Sequence, residues 1–206
     1  MVKDSRQKEQ GQVSSLKGEG LRVPFKVQQS GVRNGVTSAT GEVSFKDITA
    51  PDRRFVADCF ELRVHPGGFA QWLFGQTQID GKNLRALLDL RYPLQGMESV
   101  AALFKRYAFE SPPSSDTSQF SRVFESEPAQ TLALEVNLTR VSASRHSSVV
   151  DFFHSSGLGM NEVLVDAHIF VMPIVRVLVP FDLMHQLAQE VQKKFPVQSP
   201  ASELKS

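Results

Sequence analysis

The sequence predicts an α+β fold: an antiparallel sheet meander with two packed helices. Three observations carry that expectation. Apolar and polar residues alternate over Phe60–Tyr92 and again over Leu132–Val179, the period-2 signature of half-buried strands. The period lengthens at Met97–Tyr107 and at Phe181–Phe195 to the spacing of an amphipathic helix. Each of these helices follows a proline, Pro93 or Pro180, that closes a strand pattern.

In chain order, residues 1–20 are charged and polar and read as a flexible N-terminal arm. An α+β domain is expected over 21–196, and a flexible tail over 197–206. Leu21, Val23, Phe25 and Val27 face one way and Arg22, Lys26 and Gln28 the other, a strand that Pro24 pushes toward a sheet edge. Asn34-Gly35 fits a tight type I′ turn, and Val43 and Phe45 with Asp47 and Thr49 suggest a second strand. Phe60, Leu62 and Val64 then alternate with Glu61 and Arg63. His65-Pro66-Gly67-Gly68 makes a turn, Phe69–Gln78 a strand, Asp80-Gly81 a hairpin signal and Leu84–Tyr92 a further strand.

Met97, Val100, Ala101, Phe104 and Tyr107 share one helix face. Residues 109–130 are rich in Pro and Ser and read as a linker. Leu132, Leu134, Val136 and Leu138 alternate as one strand, and Ser142–Gly159 reads as irregular or briefly helical. Val163, Val165, Ala167 and Ile169 open a strand that Pro173 ends, and Val175, Val177 and Val179 form the next. Met184, Leu187, Ala188, Val191 and Phe195 stripe the last helix, with Lys193 and Lys194 at its negative end and Pro196 as its stop. The two helix entries echo each other: Pro93 precedes Met97 and Val100 at the spacing with which Pro180 precedes Met184 and Leu187. That spacing fits an internal repeat, and equally two unrelated junctions that share a pre-helix proline.

Composition narrows the function classes. The chain holds 23 Lys and Arg against 22 Asp and Glu, which gives no general pull toward nucleic acid or an anionic membrane. Its 15 Phe against two Tyr and one Trp suit a dry core or an apolar groove. The single cysteine, Cys59, excludes an intrachain disulfide and a Cys-based zinc site, and reads as a small buried side chain. Met1–Gln12 lacks the apolar core of a signal peptide. The longest apolar stretch, near Ile169–Phe181, is broken by Pro173, Arg176 and Pro180, so no membrane insertion and a cytoplasmic location are expected.

The polar residues form no catalytic constellation. His146, Asp151 and His154, with Ser147 and Ser148, make the one polar cluster worth testing as a site. The two histidines lack a third metal ligand, triads are assembled from distant segments, and a solvated loop is the simpler reading. Asp166 and His168 share a strand face, where a solvent-facing polar row is preferred to an acid/base pair. Gly157-Leu158-Gly159 lacks the third glycine and the strand-to-helix setting of a dinucleotide site. No cofactor and no catalytic residue are expected.

Three stretches carry a resemblance. Phe45-Lys46-Asp47-Ile48-Thr49 with Pro51, Val177-Leu178-Val179-Pro180-Phe181 before the last helix, and Phe195-Pro196 after it resemble junctions of the SecB family of export chaperones. The meander is similar to that family's sheet. The resemblance implies a sheet-based homo-oligomer that binds unfolded or extended polypeptide clients along apolar grooves, without nucleotide or metal. The competing classes are a protein with one defined partner and an enzyme whose site is assembled from loops. An exposed apolar groove favours the binder; polar residues converging in a deep pocket favour the enzyme.

Overall fold

The computed structural model describes residues 20–33, 36–46, 48–77, 84–106, 133–143, 147–155 and 167–197. Among them the chain is mixed α+β and mostly antiparallel. The strands are β1 (Leu21–Arg33), β2 (Val36–Val43), β3 (Arg54–Val56), β4 (Cys59–His65), β5 (Phe69–Thr77) and β6 (Leu84–Pro93). They continue as β7 (Ala133–Glu135), β8 (Leu138–Ala143), β9 (Ser148–Ser155) and β10 (His168–Val179). Helix α1 (Met97–Lys105) follows β6, and α2 (Phe181–Lys194) follows β10. The arm over 1–19, the Asn34-Gly35 and Asp80-Gly81 turns, the 109–130 linker, Gly157-Leu158-Gly159, Asp166 and the tail from 198 lie outside the described residues.

Two sheets form, one in the order β4-β5-β6-β7 and one in the order β2-β1-β10-β9-β8, with β3 also on β10. Their register reveals a repeat. In the first meander Glu61 lies opposite Leu73 and Leu73 opposite Asp89; in the second Arg140 lies opposite Asp151 and Asp151 opposite Arg176. One step further along, each last strand bulges at the same place: Leu87 between Ala86 and Leu88, and Ile174 between Pro173 and Val175. A proline and a helix then follow in both. The structure is therefore two ββββα units, each a short leading strand, a meander and a helix, whose ladder positions correspond.

The units exchange their leading strands. β7, which opens the second unit, pairs in parallel with β6 of the first, while β3 opens the first and pairs in parallel with β10 of the second. The bonds that leave these strands also match: Val136 N–H donates to Arg91 O and Ala57 N–H to Leu178 O, both at 3.0 Å. Asn137 Oδ1 accepts from Ser155 N–H at 2.7 Å, as Asp58 Oδ1 accepts from Thr77 N–H at 2.8 Å.

One core joins the two units. Phe60, Leu62, Trp72, Phe74 and Leu90 from the first sheet meet Val150, Phe152, Val175 and Val177 from the second. The helices close it with Met97, Val100, Ala101 and Phe104 on α1 and the matching Met184, Leu187, Ala188 and Val191 on α2. Gln192 Nε2 donates to the Ala101 carbonyl, tying α2 to α1. A second apolar cluster lies on the other face of the larger sheet, where Ile48 and Phe45 cover Phe153, Ile169 and Val171.

Several expectations are corrected. The Ser142–Gly159 region contains β9, whose two faces are both covered, so Val149-Val150 and Phe152-Phe153 show no alternation. β10 runs through Pro173, which sits beside the bulge where a ladder hydrogen bond is dispensable. Its described part starts at His168, after Ala167 with a left-handed φ of 52°, while Val163 and Val165 lie outside the described residues. The single strand expected over Leu132–Leu138 is two, since the chain passes from one sheet to the other at Val136-Asn137. β2 ends at Val43 rather than running through Phe45 to Thr49. Pro24 does not mark an edge. It lies where β1 leaves β10 for β2, and its missing N–H falls at the changeover.

Candidate functional site

A cleft of about 430 Å³ opens between the β1–β2 hairpin and α1. Phe25 on β1, Gly41 and Val43 on β2, and Phe45 just beyond form one wall; Ser99, Val100 and Leu103 on α1 form the opposite one. The floor comes from Tyr92 at the end of β6, Leu138 and Thr139 at the start of β8, Ser155 at the end of β9 and Ile169 on β10. No charged side chain is among these lining residues. Its size lies within the range of about 300–1,000 Å³ usual for ligand pockets.

Local sequence explains each wall. β1 bulges between Val27 and Gln29, which presses β2 onto it near Gly41. A Cβ at Gly41 would stand 2.2 Å from the Lys26 carbonyl oxygen and 2.8 Å from Phe25 Cζ, so only glycine allows the Phe25 ring to lie there. Opposite, the chain turns at Pro93 into a single 3-10 turn before α1, and the amphipathic helix presents Leu103 beside its buried stripe.

Two polar side chains of the cleft, Tyr92 and Asn137, are engaged, whereas Thr139 Oγ1 is buried without a hydrogen-bond partner among the described residues. Tyr92 Oη donates to the Asn137 carbonyl at 2.7 Å, and burial pushes this phenol up to about 12, with the Thr139 hydroxyl opposing the rise. Asn137 spends its side chain on the backbone of Ser155, donating to its carbonyl and accepting from its N–H, each at 2.7 Å. A phenol held that high stays protonated at neutral pH. What the cleft offers is an apolar, uncharged surface.

Two of the three residues of the sequence-derived cluster can be placed on the fold. His146 lies outside the described residues. Asp151 and His154 sit on opposite faces of β9, three positions apart in a strand of period two. Asp151 is not in a solvated loop: its side chain is 3% exposed and lies between two arginines from the flanking strands. Arg176 Nε donates to Oδ1 at 2.6 Å, and Arg140 Nη2 to Oδ2 at 2.7 Å. Burial alone would raise its pKa, but hydrogen bonds and charge from Arg176 and Arg140 hold it below the usual carboxylate range.

Arg140 has a further role that sequence reading missed. Its Nη1 donates to the carbonyls of Ile48 at 3.0 Å and Phe45 at 3.4 Å. The Asp151 cluster thereby pins the segment that carries the Phe45 wall. Among the described residues no group of three or more His, Cys, Asp or Glu is placed to hold a metal, and no helix is long and apolar enough to cross a membrane. Comparisons of the chain with protein-family models, curated proteins and solved structures return no match.

Proposed function

We propose that this is a non-catalytic binding protein whose cleft receives apolar, uncharged side chains of an extended or unfolded polypeptide, as an ATP-independent SecB-like chaperone does. The observation that carries this reading is the cleft itself, walled by Phe25, Val43, Phe45 and Leu103 and free of charged lining residues. The repeat supports it. At the equivalent place in the other unit, Val179 and Phe60 stand where Tyr92 and Thr139 stand here, and both are buried in the core. The β1–β2 hairpin lies outside the repeat and adds a wall to one copy alone. Phe45 and Ile48, from the stretch that resembles SecB, hold that wall in place. A homodimer or tetramer and a cytoplasmic location belong to the same proposal.

The test is suppression of light scattering from a refolding model protein at stoichiometric ratios without nucleotide, together with binding of an extended Phe-rich peptide. A dissociation constant between about 1 and 100 μM is expected, because ordering the peptide offsets much of the apolar burial. Leu103→Glu, which brings a charge to a half-buried cleft wall, should weaken binding about tenfold or more. Absence of both suppression and binding up to about 100 μM would remove the reading. A monomer by multi-angle light scattering at micromolar concentration would remove the oligomer.

A further inference from the structure

The larger sheet has three edge strands among the described residues, β2, β8 and β3, and the first two contribute to the cleft: Gly41 and Val43 from β2, Leu138 and Thr139 from β8. Exposed sheet edges are normally blunted by charge, proline, shortness or cover. Four of the five edges conform, the three-residue β3 among them. β4 carries Glu61 and Arg63, joined at 2.7 Å. β7 is three residues long. β8 lies against α1 and sends Arg140 to the Asp151 cluster. β2 is guarded least for its length: it is eight residues, Val36-Thr37-Ser38-Ala39-Thr40-Gly41-Glu42-Val43, without lysine, arginine or proline, its single charge, Glu42, accepts a hydrogen bond from Gln28 on β1 at 2.8 Å, and β1 is its sole partner strand among the described residues.

Resting on the cleft as a polypeptide-binding site, we propose that the client adds as a strand to the edge of β2 that no described strand pairs, with alternate side chains entering the cleft. The chemistry of the two features selects this occupant. A sheet edge presents backbone N–H and C=O groups in a row, which only another extended backbone satisfies along its length. A neutral apolar cleft beside that edge takes a Phe, Leu or Val side chain, and a strand offers one on the same face at every second residue. Small neutral molecules would fill the cleft and leave the edge unpaired. The Gly41 contact assists, because it lets β2 sit close to β1, with the largely buried Phe25 ring packed against the Gly41 backbone in the cleft wall.

Backbone methylation separates this mode from burial alone. A Phe-containing hexapeptide is compared with the same peptide N-methylated at alternate amides, so that one edge of the strand loses its donors while the side chains stay. Strand addition predicts binding weaker by about tenfold or more when the methyls face β2, and little change when they are moved one residue along. In parallel, hydrogen exchange is measured on the full chain with and without the unmethylated peptide. The amides of Val36–Val43 should slow on binding, and those of Leu138–Ala143 should not. Equal affinity for all three peptides overturns strand addition and leaves the cleft reading standing. Protection of Val36–Val43 already present without peptide overturns it in favour of a second copy seated on the edge. If no peptide of the set binds, the cleft reading falls as well.

Discussion

Asp151→Ala is expected to lower the unfolding free energy by about 3 kcal/mol. The carboxylate is almost fully buried and takes hydrogen bonds from Arg140 and Arg176, which stand directly opposite it on the two neighbouring strands. Removing it leaves two guanidinium groups facing each other across β9. Truncating one partner of a fully buried pair costs about 3–5 kcal/mol. Both arginines are about a quarter exposed, with side-chain values of 23% and 24%, so water relieves part of that cost and the low end applies. Urea unfolding followed by far-UV circular dichroism should show the midpoint fall with an unchanged slope.

The pH dependence follows from the direction of the shift. Asp151 has a folded pKa held below its unfolded value, so its contribution is complete above the ordinary carboxylate range and is lost as pH falls through the lowered folded value. The gap between the native protein and Asp151→Ala should therefore narrow between about pH 5 and pH 2. A gap that is constant over that range, or a loss below about 1 kcal/mol at neutral pH, would mean that the cluster is merely a surface ion pair. The same variant should also loosen the Phe45 wall, because Arg140 would lose the carboxylate that orients it toward the Phe45 and Ile48 carbonyls.

What the sequence made legible and what it hid divide along a physical line. β4 and both helices were readable because each has one face in the core and one more exposed, so composition alternates with the right period, whereas β5 is buried on both faces, with Trp72 and Phe74 in the joint core and Leu73 against Cys59. β4 shows Phe60 and Leu62 against Glu61 and Arg63, and α2 shows Leu187, Ala188 and Val191 against Gln189 and Glu190. β9 was not readable. Phe152 faces the joint core and Phe153 the cluster under Ile48, so both faces are apolar and the single charge, Asp151, suggests a loop. β10 was misjudged at Pro173 because a proline is admissible in a strand wherever a bulge removes the need for its N–H.

The matching spacing after Pro93 and Pro180 was visible, but its meaning required register. Only pairing shows that Leu73 and Asp151 hold equivalent positions while sharing no chemistry. The cleft was hidden for a related reason. Phe25, Tyr92, Leu103 and Thr139 come from four separate stretches, and the leading-strand exchange brings Asn137 beside Tyr92. None of these residues is unusual where it stands in the sequence.

The exchange of leading strands also determines how the two units should unfold, and Phe152 is the residue that tests it. Phe74 and Phe152 occupy equivalent positions in the two meanders and meet each other, ring centroids 6.0 Å apart, with Trp72 at 5.9 Å from Phe152 in an edge-on contact. All three are buried, with Phe74 and Phe152 at 0% exposure. Phe152→Ala should therefore cost about 4 kcal/mol, through lost apolar transfer and a cavity bounded by strands that β3 and β7 hold in place. Phe74→Ala should cost a similar amount. Because the two rings share one cavity, the double variant should fall short of the sum by about 1 kcal/mol. Phe152→Leu, which keeps most of the volume, serves as the milder member of the series should the alanine variant fail to fold. Trp72 is the sole tryptophan and reports on this centre directly, while circular dichroism reports on both sheets. The two probes should trace a single transition in every variant. Fully additive costs, or a fluorescence transition separated from the dichroism one, would show two independent cores and contradict a fold in which each unit lends the other its first strand.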